Sequence, residues 1–184
     1  MRKYENYDKV EVAYPSEYET LPPGGYVCKI LKVQAEEKEY GTLLRIGFDI
    51  AEGEYKDFYK LQFERKKKYN PDAKWPGMYY QTVREDDLRY FKGFITSIEE
   101  SNPGFKWDWN EQKLVGKLFG GVFGEEEFET DSGDIKVAIK CRFIRSIEAV
   151  RKGVKIPERK RLSTSTSLPN TEYVNADDID DLPF

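Results

Sequence analysis

The sequence contains no histidine and only two cysteines among its 184 residues. The commonest general base and metal ligand of proteins is therefore missing. Cys28 and Cys141 stand too far apart for a metal-ligand motif, and both fall within strand-like patterns, so we expect two buried free thiols. The chain also contains no G-x-x-x-x-G-K-[ST], G-x-S-x-G or C-x-x-C motif. These absences predict a protein that is not an enzyme and has no cofactor or bound metal.

Long apolar runs are missing as well. No stretch approaches the roughly 18 apolar residues that span a bilayer, and no charged and then apolar leader follows Met1. We therefore expect a cytoplasmic protein without membrane contact. The pairs Asp86/Asp87 and Asp131/Asp134 leave a metal-dependent nuclease as an alternative, although a helix start and a turn explain both pairs.

Basic residues are absent from one end of the chain. From Leu162 onward there are five acidic residues and no Lys or Arg, so the 34 acidic and 30 basic residues of the whole chain leave 29 and 30 in residues 1–161. The net charge of −4 thus originates in the tail. A basic stretch, RKGVKIPERKR, directly precedes that tail at 151–161. Such blocks of charge are typical of interaction tails.

Alternating apolar and polar residues predict five strands. In the fifth, apolar residues from Ile135 to Phe143 alternate with Lys136, Lys140 and Arg142, which predicts one core face and one basic face. The acidic GEEEFETDSG between the last two strands is expected to form a long hairpin loop. The predicted strands are Tyr26–Val33, Leu43–Ile50, Asp57–Glu64, Lys113–Phe123 and Asp134–Ile147.

One helix is predicted between the third and fourth strands. Thr82 and Glu85 have the spacing of a capping box, and Leu88, Phe91, Ile95 and Ile98 recur at helical spacing. Asn102-Pro103-Gly104 is expected to end the helix.

The order of three strands, one helix and two strands is that of the OB-fold, a small Greek-key barrel that binds single strands or sugars. We therefore predict a mainly β protein with an OB-like five-stranded barrel over 24–150. An N-terminal extension covers 1–23. The segment 151–184 has too few apolar residues to order itself and is predicted to be a flexible, disordered linker with an acidic tip.

Aromatic residues make up 15% of the chain and interleave with basic ones, the combination that binds single-stranded nucleic acid. A solvated loop, ordinary sheet surface and core packing are alternatives for these clusters. The glutamates at 125–129 would also repel DNA from the last hairpin. The candidate DNA-binding residues are Lys60, Arg65, Lys66, Lys67, Lys68, Tyr69, Lys74, Trp75, Tyr79, Tyr80, Trp107, Lys136, Lys140 and Arg142.

The last eight residues, DDIDDLPF, combine four aspartates with an apolar end. A flexible polar spacer leads to them, which makes a tethered ligand for a basic pocket in another protein. The predicted partner-binding residues are Asp177, Asp178, Ile179, Asp180, Asp181, Leu182, Pro183 and Phe184.

This tip resembles the acidic tip of bacterial single-stranded DNA-binding proteins. The segments LPPGGYVCKILKV and YYQTVREDDLRYFKGFITSIEESNPGFKWD resemble a family of small phage and prophage single-stranded DNA-binding proteins. The resemblance implies an OB-fold that coats single-stranded DNA in phage-type replication or recombination, in the host cytoplasm if a phage encodes it. It also implies that the tip recruits replication or recombination enzymes.

A single-stranded DNA-binding protein is therefore the leading hypothesis. A non-enzymatic protein adaptor with an OB-like domain and no DNA binding is the alternative. Exposed strand edges leave a homodimer possible.

Overall fold

A five-stranded antiparallel sheet organises the chain in the computed structural model, which describes residues 20–130 and 132–162 together with Arg2, Tyr4, Glu5 and Tyr7–Lys9. The strands are β1 (Gly24–Lys38), β2 (Gly41–Ile50), β3 (Met78–Val83), β4 (Leu118–Glu129) and β5 (Ile135–Arg145). The helices are α1 (Phe58–Tyr69), α2 (Arg89–Ser101) and α3 (Ile147–Arg151), with 3-10 helices at Tyr7–Lys9 and Glu111–Leu114. The prediction of a mainly β protein is confirmed.

The strands lie in the order β3-β2-β1-β4-β5, and all neighbours are antiparallel. β1 is central, because Cys28 pairs with Ile50 of β2 on one side and with Phe119 of β4 on the other. Its register shifts between Ile30 and Lys32, and such a bulge bends a long strand. β3 and β5 are the two edges, and within the described residues the sheet is open between them.

Aromatic rings and branched aliphatic side chains from β1, β2 and β4 fill the core. Phe48 makes edge-to-face contacts with Phe119 and Phe123, at ring-centroid distances of 5.6 and 6.0 Å. β2 is buried on both faces, although its alternating pattern predicts a half-buried strand. The second face carries two buried polar residues, Arg45 and Asp49. Arg45 is paired with Glu36 and Asp49 accepts backbone hydrogen bonds, and such partners are what allow a charge to be buried.

The predicted third strand, Asp57–Glu64, is wrong. The chain forms α1 over Phe58–Tyr69 instead, and the third strand begins only at Met78. A short apolar run is compatible with the periodicity of a strand or of a helix. Here the chain is helical, and the side chains of Phe58 and Tyr59 are its buried residues. The carboxylate of Asp49 stabilises the start of this helix, because it accepts hydrogen bonds from the backbone N–H groups of Tyr59 and Lys60 at 2.9 and 3.0 Å.

The predicted helix between the third and fourth strands exists, but its predicted capping box does not. Thr82 lies within β3, and α2 begins at Arg89. Phe91, Ile95 and Ile98 form the buried face, as their spacing predicts. Asn102 ends the helix: its side-chain amide donates to the carbonyl oxygens of Ile98 and Leu118 at 2.7 and 2.8 Å.

The acidic hairpin loop is shorter than predicted, because β4 runs on to Glu129. β5 also differs from its predicted alternation. A register shift between Val122 and Phe123 of β4 rotates the end of β5, so that Ile144 enters the core while Phe143 remains 44% exposed. Strict alternation in sequence does not reveal a bulge.

Residues 152–162, which the sequence pattern assigns to a flexible linker, run along the sheet. Val154 packs with the small cluster of Val27, Val122 and Val150. Lys160 then pairs in parallel with Glu126 of β4. Residues 163–184, including the predicted tip, lie outside the described residues. In the described part of the chain, no helix has the length and apolar character needed to cross a membrane.

Candidate nucleic-acid interface

A groove of about 700 Å³ lies where the sheet is open, between the edge strands β3 and β5. Met78, Tyr79, Tyr80 and Thr82 line it from β3, and Val137 to Arg142 line it from β5. The remaining lining comes from several elements: Thr20, Leu21, Tyr40, Leu43, Phe58, Tyr59, Gln62, Trp75, Pro76, Glu126 and Lys160. The two edge strands thus form the two walls of the groove.

One wall of the groove carries aromatic rings. The indole Nε1 of Trp75 donates to the Phe48 carbonyl oxygen at 3.0 Å, which anchors the ring at the groove. Tyr79 is stacked on Phe94 with a centroid distance of 6.3 Å and an interplanar angle of 13°. Burial raises the pKa of the Tyr79 phenol well above its usual range, so this ring is neutral and partly structural.

Tyr80 follows Tyr79 in β3, so its side chain points to the opposite face of the strand, where Tyr80 pairs with Arg45 of β2. Its hydroxyl is buried and has no hydrogen-bond partner among the described residues. Burial raises the pKa of Tyr80, and the nearby Arg45 lowers it by less. Tyr80 therefore contributes an uncharged ring to the groove, while its buried hydroxyl makes no hydrogen bond with the described residues.

The other wall is basic. Lys140 and Arg142 belong to the polar face of β5, as the alternation predicts, and Lys160 arrives from the C-terminal segment. All three lie around Glu126 of β4, with N···O distances of 3.6 to 3.7 Å. The three basic side chains and the one carboxylate together carry a formal charge of +2. Positive charge is what a protein needs to follow a phosphate backbone.

A second pocket of about 800 Å³ lies against α1. The helix places Arg65, Lys66 and Tyr69 on one side, and Lys74 joins them from the following loop. Gln62 lines both this pocket and the groove. Arg65, Lys66 and Tyr69, for which a solvated loop was the alternative, therefore belong to a helix, and the basic pocket adjoins the groove at Gln62.

Five of the predicted DNA-binding residues line neither of these two pockets. Lys60, Lys67 and Lys68 are exposed on α1, and the Lys67 ammonium lies 5.2 Å from the centroid of the Phe63 ring. Lys136 is exposed near the start of β5. Trp107 packs edge-to-face against Phe91.

The two cysteines are free, as predicted, and they approach each other across β4. A Cβ atom on Gly121 would lie 3.1 Å from Cys28 Sγ and 3.3 Å from Cys141 Sγ, so both thiols occupy the space that a side chain would need. Burial raises the pKa of Cys141 to about 12 and raises that of Cys28 as well. Both sulfurs therefore stay protonated at neutral pH and are poor nucleophiles.

No three side chains of Cys, Asp and Glu lie close enough to hold a metal ion within the described ranges. The carboxylates of Asp86 and Asp87 are each paired with a neighbouring arginine, Arg84 and Arg89 respectively. Asp131 lies outside the described residues.

Sequence reasoning missed several residues that line this surface, among them Tyr40, Gln62, Glu126 and Lys160. The glutamates of β4 and the basic segment near residue 160 have opposite charges, which could have suggested that they pair. The pairing register cannot be obtained from charge alone. Tyr40 and Gln62 stand in polar surroundings that give no signal in the sequence.

Comparison with known proteins identifies no relative: no protein-family model matches the chain, and no curated protein is similar to it in sequence.

Proposed function

We propose that the protein binds single-stranded DNA in the groove between β3 and β5. The observation that carries the proposal is the combination of the two walls: Trp75, Tyr79 and Tyr80 on one side, and Lys140 and Arg142 on the other. Rings that stack bases contribute about 1–3 kcal/mol per base, and cations along the backbone supply affinity for any sequence. Binding is therefore expected to tolerate different sequences.

The fold is compatible with an OB-like architecture. OB-folds are partly open five-stranded barrels, and they bind oligonucleotides on one sheet face and its adjoining loops. This chain has five antiparallel strands with a helix between β3 and β4, and an opening between β3 and β5. We propose that the opening admits the strand, while the basic face of α1 guides the backbone beyond the groove.

The proposed biological role is that of a phage-type protein that coats single strands in replication or recombination. It rests on the sequence resemblance. The acidic tip at 177–184 lies outside the described residues, so recruitment of partner enzymes through it stays a prediction from sequence. An adaptor function remains the alternative, supported by the exposed apolar side chains of Ile135 and Val137 on the edge strand β5. An edge strand can pair with another chain.

Fluorescence anisotropy tests the proposal. The affinity of the protein for a labelled oligothymidine is compared with its affinity for a duplex of equal length, at a series of salt concentrations. We expect tighter binding of the single strand, with log K falling by about 0.7 per neutralised phosphate for each tenfold rise in salt. Lys140→Ala should reduce this slope by about 0.7, because it removes one contact. Lys136→Ala is the matched control, since Lys136 shares the strand and face of Lys140 but does not line the groove.

Absence of single-strand binding by the wild-type protein at low salt would exclude the proposal and favour the adaptor. Equal effects of the two lysine substitutions would exclude the groove as the binding site.

A further inference from the structure

Glu126 occupies the centre of three cations in the groove. Its carboxylate oxygens lie 3.7 Å from Lys140 Nζ, 3.7 Å from Arg142 Nε and 3.6 Å from Lys160 Nζ. Its side chain is 19% exposed, so the carboxylate reaches the groove surface rather than the core. The arrangement is one anion held by converging donors, which is how proteins bind a phosphate group.

The third cation is brought there by backbone pairing. The Lys160 N–H donates to the Glu125 carbonyl oxygen at 3.0 Å, and the Glu127 N–H donates to the Lys160 carbonyl oxygen at 2.9 Å. Arg159 reinforces the pairing through its Nε, which lies 2.5 Å from Glu125 Oε2. Because Lys160 and Glu126 are paired residues of neighbouring extended segments, their side chains share one face of the sheet.

The three ion pairs around Glu126 are loose. Charge-assisted N–H···O contacts are normally about 2.7–2.9 Å long, and all three distances here are longer. Lys140 is also 52% exposed, so water screens its attraction to the carboxylate. An anion that approaches these cations more closely would therefore make shorter charge-assisted contacts than the Glu126 carboxylate does.

We propose that Glu126 occupies, in the DNA-free protein, the place that a backbone phosphate takes in the complex, and that Lys160 is a DNA contact together with Lys140 and Arg142. This inference rests on the proposed function. The phosphodiester displaces the carboxylate and bridges the cations, while Glu126 turns toward solvent. Glu126 thereby lowers affinity for single strands and keeps the cations together when no DNA is present.

Glu126→Gln tests the first part of the inference. The substitution keeps the size of the side chain and removes the negative charge that lies beside all three cations. The slope of log K against log salt should steepen by about 0.7, which corresponds to about fivefold tighter binding at 0.1 M salt if the affinities are equal at 1 M. Glu129→Gln is the control, because it changes net charge equally but lies on the opposite face of β4.

Lys160→Ala tests the second part. It should reduce the slope by about 0.7, whereas Lys155→Ala, an exposed lysine of the same segment, should not. Unchanged or weaker binding by Glu126→Gln, or equal slopes for the two lysine variants, would overturn the inference while the wild-type protein still binds single strands. If neither the wild-type protein nor Glu126→Gln binds, the proposed function itself has failed.

Discussion

The junction between β2 and α1 and the hairpin of β4 and β5 each contain a carboxylate surrounded by donors, with opposite consequences. Asp49 at the junction accepts three backbone N–H groups, from Ile50, Tyr59 and Lys60, at 2.8 to 3.0 Å. Glu126 in the hairpin faces three side-chain cations at 3.6 to 3.7 Å. Short hydrogen bonds from backbone N–H groups hold the chain in one conformation. Longer ion pairs with flexible side chains are more easily replaced by contacts with a ligand.

This difference shows that the kind of hydrogen-bond donor around a carboxylate determines its role in the protein. Asp49 is buried and joins a strand to the start of a helix whose own N-cap, Asp57, makes no side-chain capping hydrogen bond with the described residues. Glu126 joins cations that reach it from β5 and from the C-terminal segment. The first carboxylate is thus a structural cap, and the second is part of the proposed binding surface.

Asp49→Ala should produce the largest loss of stability. The free energy of unfolding should fall by about 2 kcal/mol, the upper range for loss of a helix cap, because buried N–H groups of α1 lose their acceptor. Glu126→Gln should change it by less than about 1 kcal/mol. Urea denaturation measures both, with Asp57→Asn as a control that keeps the left-handed backbone tolerable. A smaller loss for Asp49→Ala than for Glu126→Gln would reverse the comparison.

The pH dependence of stability should distinguish the buried carboxylate further. Burial raises the pKa of Asp49, although the three N–H groups lower it. Between the unfolded and the raised folded pKa, the folded state binds more protons, so stability falls as pH rises. The stability of the wild-type protein relative to Asp49→Asn should therefore increase from pH 7 to about pH 4 in parallel denaturation curves. A decrease over this range would show that hydrogen bonding outweighs burial.

Tyr80→Phe should have the smallest effect. Its hydroxyl is buried without a partner among the described residues, so its removal relieves an unfavourable burial. The free energy of unfolding should stay unchanged or rise by up to about 1 kcal/mol. Tyr79→Phe is the matched control on the same strand, because the Tyr79 hydroxyl donates to Gln81 Oε1 at 3.4 Å. A fall of more than about 1 kcal/mol in the free energy of unfolding of Tyr80→Phe would show that the Tyr80 hydroxyl makes a hydrogen bond after all.

The parts of the fold that sequence predicted well are those with long periodic patterns. β2 and the buried face of α2 follow from alternation or helical spacing alone, since each repeats over several turns or residue pairs. The predicted strand Tyr26–Val33 lies within β1, which extends further, over Gly24–Lys38. The stretch 57–64 was predicted wrongly as a strand because a short apolar run fits either periodicity. The hydrogen bonds that Asp49 of β2 accepts at the start of α1 cannot be inferred from that stretch. Phe143 was misplaced because a bulge in the pairing of β4 and β5 leaves no trace in composition.

The candidate site shows the same division. Composition identifies the basic and aromatic residue types that bind single strands, and alternation places Lys140 and Arg142 on one face of β5. Neither composition nor alternation shows that Trp75 and Tyr79 line the same groove as Lys140 and Arg142, because the aromatic and the basic wall come from segments far apart in the chain. Nor do they show that Trp75 lines the groove whereas Trp107 packs against Phe91.

The sequence by itself determined the β-rich class, the existence of α2, the charge blocks and the free state of both cysteines, because each depends on local pattern or on residue counts. Only the tertiary structure decided that the sheet opens between β3 and β5, and that Lys160 meets Lys140, Arg142 and Glu126 in that opening. Such meetings depend on strand register and on backbone pairing between distant segments, which short-range periodicity does not encode.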